Sequence, residues 1–263
     1  MYLTKPIHPI DLQANVNTLL AQKQARPDMP ASRGYVVGIL GAKGGLGVST
    51  VALNLAVSYQ NMHQVNVIAA EMKPGQGSWA QELQLSSTGG LTSLLQKSAA
   101  RLTQPVVSAA LTSAVHGVQL LLASSDCKDV ELAHASTQLE AILKQLPLLG
   151  SLVVLDIGTA FHPAFSMISE VCNEFILVTE PHPTAARHTL NLAQELRNNI
   201  RGTSRALNIV TLNRTQSDRT LSQNEVEQIV GQPVALALPA AIDQVYNAAG
   251  HFIPLVLVEP QGV

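Results

Sequence analysis

The sequence predicts an α/β fold, a mostly parallel central sheet with helices on both faces. Three observations carry this. Short apolar segments such as VVGIL (36–40), LVVLD (152–156) and FILVT (175–179) alternate with stretches of helical period. A strand apolar on both sides is one covered on both faces, which is the habit of parallel sheets. A glycine-rich stretch joins the first such strand to the first helix, and the strand LVVLD closes on an acid.

The elements follow in order. Asp11 to Gln24 reads as a helix, with Pro9 suited to its first turn and Leu12, Val16, Leu19 and Leu20 on one face. A single helix cannot bury that face alone. Residues 26–34, RPDMPASRG, break every periodicity and read as a linker. Strands are then expected at Val36–Leu40, Val65–Ala70, Val118–Ala123, Leu152–Asp156, Glu174–Thr179, Leu207–Asn213 and Val234–Leu238. Helices are expected at Val51–Tyr59, Glu131–Leu146, Pro163–Val171, Thr184–Ile200, Asn224–Val230 and Ile242–Ala249, with two more within 78–114.

Composition narrows the classes of function. The 263 residues carry 16 Lys+Arg against 18 Asp+Glu, a net charge of −2, and 46% are hydrophobic. That apolar content excludes a disordered chain. The charge balance argues against a dominant nucleic-acid surface, which needs a basic face. Charged residues make up 13% of the chain, about half the usual 25%. No apolar run reaches the ~18 residues of a membrane span. The N-terminus, with Lys5, Pro6 and Pro9, does not read as a signal peptide. Cys127 and Cys172 are too few for a disulfide framework or a zinc cluster. A soluble cytoplasmic protein is the expectation.

Residues 41–50, GAKGGLGVST, stand between a strand and a helix, the setting of a phosphate-binding loop. Gly44, Gly45 and Gly47 allow the backbone to curl so that successive N–H groups converge on an anion. The helix N-terminus near Ser49 adds its dipole. The strict pattern G-x-x-x-x-G-K-[ST] places its first glycine on Ala42 and its lysine on Val48. The sequence fits instead a deviant form, K-G-G-x-G-x-[ST]-T, with Lys43 as its early lysine. Asp156 stands where the second magnesium-holding acid of such sites is expected.

These residues resemble the MinD/ParA class of deviant P-loop ATPases, over about 33–259. ILGAKGGLGVSTVALNLAVSY is similar to the family's first strand, loop and helix, and SLVVLDIG to its second magnesium strand. FILVTEPHPTAARHTLNLAQEL, VTLNR and QPVALALP are similar to later segments. The LVTEP run, the final PLV and the loop without its ordinary lysine point to the CpaE-like branch, associated with pilus assembly and polar positioning. Residues 1–25, with Lys5-Pro6 before a helix, resemble the end of a response-regulator receiver domain. The resemblance thus divides the chain into a receiver-like remnant (1–25), a linker (26–34) and a P-loop nucleotide-binding domain (35–263).

The resemblance implies the following roles. ATP is bound between two subunits of a homodimer, with Lys43 reaching the partner's phosphates. The loop residues Lys43, Gly44, Gly45, Leu46, Gly47, Val48, Ser49 and Thr50 cradle the phosphates, Thr50 facing the α-phosphate. Ser49 and Asp156 hold Mg²⁺. Asn213 and Arg214 contact the adenine. Glu71 orients the attacking water, in a segment where the family pattern D-x-D is replaced by Ala69-Ala70-Glu71. Val48 removes a positive charge from the phosphates, and Pro239 is followed by Ala240 and Ala241 where an acid is often found. Slow or absent hydrolysis is the expectation, in a localisation or assembly factor whose partners are proteins of a pilus or secretion apparatus. An active positioning ATPase and a scaffold without nucleotide are the alternatives. Arg187, Arg197, Arg201 and Arg205 could line a DNA-facing stripe, which the net charge disfavours. The ending LVLVEPQGV offers no basic amphipathic helix for a membrane.

Overall fold

The computed structural model describes residues 33–86, 90–113, 117–159, 163–199, 206–213 and 219–258. The expected receiver-like remnant (1–25), nearly all of the expected linker (26–34), Arg201, Arg205 and Arg214 lie outside the described residues.

Eight strands form one sheet. They are β1 (Tyr35–Gly41), β2 (Val67–Glu71), β3 (Thr112–Ser113), β4 (Gln119–Leu121), β5 (Leu152–Thr159), β6 (Glu174–Thr179), β7 (Ala206–Leu212) and β8 (Val234–Leu238). Their order is β3-β4-β2-β5-β1-β6-β7-β8. Every neighbouring pair is parallel except β3 with β4. The helices are α1 (Val48–His63), α2 (Trp79–Glu82), α3 (Gly90–Leu95), α4 (Gln104–Ala109), α5 (Ser136–Leu149), α6 (Phe165–Val171), α7 (Pro183–Asn199), α8 (Gln223–Val230) and α9 (Ile242–His251).

The period-2 alternation of the strands separates two cores. In β5, Val153, Leu155 and Ile157 join one cluster with residues of α3, α4, α5, α6, α7 and α8. Leu152 and Val154 face the other, with Ala52, Leu53, Ala56 and Val57 of α1 and with Trp79 of α2. The sheet is therefore covered on both faces, as the apolar runs predict.

This layering positions the site. β1 lies between β5 and β6. The chain leaves β1 into α1 on one face and leaves β5 towards α6 on the other. The two connections diverge at the carboxyl ends of adjacent strands, the switch point where open α/β sheets bind their ligands.

Several boundaries differ from the sequence reading, each for a physical reason. α1 runs to His63 and stops at Gln64, which takes a left-handed φ of 51°. Its last residues, Asn61, Met62 and His63, are exposed, so no buried apolar face marks them. α5 continues through Pro147 to Leu149, and Pro147 is buried in the core there, so packing carries the helix past a residue that gives up one i→i−4 bond. The start of the expected helix at 131 is instead part of a 3₁₀ segment, Cys127–His134. Residues 78–113 hold three short helices, a 3₁₀ turn and the two-residue strand β3, rather than two helices. β2 ends at Glu71 instead of Ala70, a shift of one residue with consequences below.

Candidate functional site

The loop after β1 has the shape its glycines allow. Gly45 and Gly47 take φ of 76° and 82°. Gly47 caps α1 in the left-handed conformation and brings no capping side chain of its own. The first amides of a helix so started suit an outside acceptor, the arrangement that receives anions. A Cβ on Gly47 would fall 2.3 Å from Leu212 Cδ2, so any other residue is opposed by both φ and space. Gly44 carries neither restraint, with no atom within 4 Å of such a Cβ. Leu46 and Val48 are buried in the α1-side core. The place of the ordinary P-loop lysine is thus part of the packing.

Lys43 is held within its own chain. Its Nζ donates to Glu180 Oε1 at 2.6 Å, just past the end of β6. The lysine is 42% exposed and the glutamate 18%, so solvent screens this pair and it contributes about 0–1 kcal/mol.

Asp156 and Ser49 do come together, but around a third residue. Asp156 is fully buried. Its Oδ1 accepts from Gly158 N–H at 3.1 Å, where β5 bulges and Gly158 takes φ 75°. Its Oδ2 faces Lys73 Nζ at 2.8 Å, and has no other partner among the described residues. The same ammonium donates to Ser49 Oγ at 2.5 Å. Lys73, at 12% side-chain exposure, is nearly enclosed.

Glu71 is engaged by the backbone of its own chain. It is fully buried, and its carboxylate accepts three backbone amides: Ser78 at 2.7 Å, Trp79 at 3.2 Å and Ala123 at 3.0 Å. Burial pushes its pKa up from the usual carboxylate value, against the downward pull of the Ser78 and Ala123 amides, the Lys73 charge and the Trp79 amide. Its visible work is to fold residues 72–79 back onto the end of β4. Ala69 and Ala70 are buried inside β2. Matching them to the first positions of D-x-D is therefore corrected: the loop opens at Met72, and the residue that reaches Ser49 and Asp156 from it is Lys73.

Two further residues went unnoticed in the sequence. Trp79 is fully buried, and its indole N–H donates to Ser49 O at 3.3 Å, tying this loop to the start of α1. Glu180 is the other. Placing the end of β2 at Glu71 would have exposed Lys73 as a loop residue beside the site; nothing local marks Glu180 as the partner of Lys43.

Asn213 follows β7, where its N–H donates to Leu238 O at 3.0 Å. It lines an open cleft of about 280 Å³ with Pro181, Thr211, Leu238 and Pro239. Arg187 and Arg197 lie on α7, and Arg197 donates to Gln232. No described helix is long and apolar enough to cross a membrane. No group of three metal-ligating side chains occurs among the described residues.

The fit to magnesium can be tested on these contacts. A hydroxyl and a carboxylate are the oxygen donors a hard dication takes. Here both are engaged by one ammonium, and a second cation at the same two oxygens would meet its charge. As arranged, Ser49 and Asp156 fit a lysine and do not fit Mg²⁺ beside it.

No family model matches the sequence, and no curated protein matches it. Solved structures do match in fold. A ParA family ATPase from Chlorobium tepidum superposes with TM-score 0.77 at 18% identity, over 87% of this chain and 94% of that one. The septum site-determining protein MinD from Pyrococcus horikoshii, solved with Mg-ADP, gives 0.74 at 19%, over 87% and 90%. A Cyanothece McdA variant in complex with ATP gives 0.64 at 15%, over 87% and 91%.

Proposed function

We propose that this chain, which has the fold of the MinD and ParA ATPases, binds ATP at residues 43–50 and dimerises through it. The observation that carries this is the loop itself. Two left-handed glycines and a helix start capped by one of them lie at the switch point of the sheet, beside the buried acid of β5. Lys43 and the amides of Gly44 to Thr50 receive the phosphates, and the Asn213 cleft takes the base, with Arg214, the next residue in the sequence, as a further contact. In the dimer Lys43 exchanges Glu180 for the partner's phosphates.

Turnover is slow or absent. Val48 is packed away, and the carboxylate of Glu71 is fully occupied by backbone amides. The chain then works as a nucleotide-loaded localisation or assembly factor, of the CpaE type, for a pilus or secretion apparatus. Solved neighbours described as cell division and plasmid partition proteins are in keeping with a positioning role.

A titration with a fluorescent ATP analogue, run beside a phosphate-release assay, tests this. Saturable binding with turnover far below an ordinary enzyme's ~10 s⁻¹ is the expected result. No saturation at millimolar nucleotide would end the nucleotide reading. Size-exclusion chromatography of the 27.9 kDa chain with and without ATP tests the dimer, and an unchanged monomer would refute it.

A further inference from the structure

The cation that Ser49 and Asp156 hold is part of the chain. We infer that the Lys73 ammonium is the resident counter-charge of this site, so that nucleotide binding does not require Mg²⁺. The inference rests on the nucleotide reading above and concerns the same loop.

Three independent features carry it. The first is the contact set. Lys73 Nζ lies 2.5 Å from Ser49 Oγ and 2.8 Å from Asp156 Oδ2. It bridges the hydroxyl and the carboxylate that a magnesium ion would bridge. A lysine ammonium has three protons. One is donated to Ser49 Oγ while the charge faces Asp156 Oδ2, so a proton remains for an oxygen arriving at the start of α1.

The second is electrostatic need. Asp156 is fully buried, and Oδ2 has no hydrogen-bond partner among the described residues; the ammonium facing it is its ion-pair partner. A buried carboxylate left without a counter-charge is strongly unfavourable. Lys73 therefore belongs to the folded state. It also restores to the loop the one positive charge that Val48 takes from the strict motif, from a different element.

The third is that Lys73 is carried on a segment that does not give way easily. Met72 N–H donates to Asp156 O at 2.8 Å, and Gly77 N–H to Ser124 O at 2.9 Å. Ser78 and Trp79 are clamped by Glu71. Gly77 lies so close to β4 that a Cβ there would be 2.0 Å from Ala123 O. These bonds fix where the lysine stem starts, and Ser49 and Asp156 hold its ammonium.

The test measures ATP affinity of the full chain in excess Mg²⁺ and in excess EDTA, for the wild type and for Lys73→Ala and Lys73→Met. Fluorescence of Trp79, the one tryptophan in the chain, reads both binding and folding. The wild type is expected to bind within about threefold in the two buffers. The variants should lose tenfold or more in EDTA and regain affinity in Mg²⁺, since the vacated oxygens can then take the metal. If Lys73→Ala does not fold, Lys73→Met keeps the apolar stem and carries the same comparison. Wild-type binding that falls tenfold or more in EDTA would overturn the inference while leaving the nucleotide reading intact. Variants that bind as well as wild type in EDTA would do the same. Absence of binding in both buffers would remove the nucleotide reading, and this inference with it.

Discussion

Glu71 shows how much one side chain can change in meaning between sequence and structure. As an acid at a strand end near a phosphate loop it reads as chemistry; its three amide partners make it a clamp. Glu71→Gln would present an NH₂ group to N–H donors, at a cost of about 1–3 kcal/mol, measurable by urea unfolding followed at Trp79. Because its folded pKa is raised by burial, the linked stability is present below the unfolded pKa and is lost as pH rises through the folded one. The gap between wild type and Glu71→Gln should therefore narrow with rising pH, and a gap that widens would contradict the burial argument. Lys43 is the second case. Glu180→Gln frees it, and ATP-dependent dimerisation should then need up to about fivefold less nucleotide, the worth of an exposed pair. Both readings were out of reach of the sequence, since backbone amides carry no residue identity and Lys43 and Glu180 meet only because β1 pairs with β6.

At the scale of elements, the loop before α1 was the most legible part, because positive φ demands glycine and the demand is written in residues 45 and 47. Gly47→Ala is expected to abolish saturable ATP binding, since the Cβ strikes Leu212 and strains the turn. Circular dichroism would establish that the fold survives. α8, expected at Asn224–Val230, starts one residue earlier on a signal that its expected bounds did not use. Ser222 caps it and Glu225 returns the bond, a reciprocal capping box. Ser222→Ala should cost about 1 kcal/mol, seen as a lower urea midpoint without loss of nucleotide binding. The stretch 78–113 was illegible because its pieces are too short to show a period: α2 has four residues and β3 has two.

Over the whole molecule, apolar runs reveal that a strand is covered but not which strand lies beside it. Alternation therefore predicted a parallel sheet with two cores, while the order that sets β5 between β2 and β1 came only with the structure. That order is what brings Asp156 beside the loop after β1 and the segment after β2. Ligand binding at this junction couples to the whole sheet. ATP at a hundred times its dissociation constant should stabilise the fold by about 2.7 kcal/mol, visible as a higher melting temperature and absent in Gly47→Ala.

The clamp at Glu71 has a consequence in time as well as in energy. Connections between strands and helices ordinarily exchange their amide protons quickly, because they open without the rest of the fold. Here the amides of Ser78, Trp79 and Ala123 share one buried acceptor, and freeing any of them exposes a carboxylate lodged in the core. Their protons should exchange with deuterium as slowly as those of β5, making this connection one of the last parts of the chain to open.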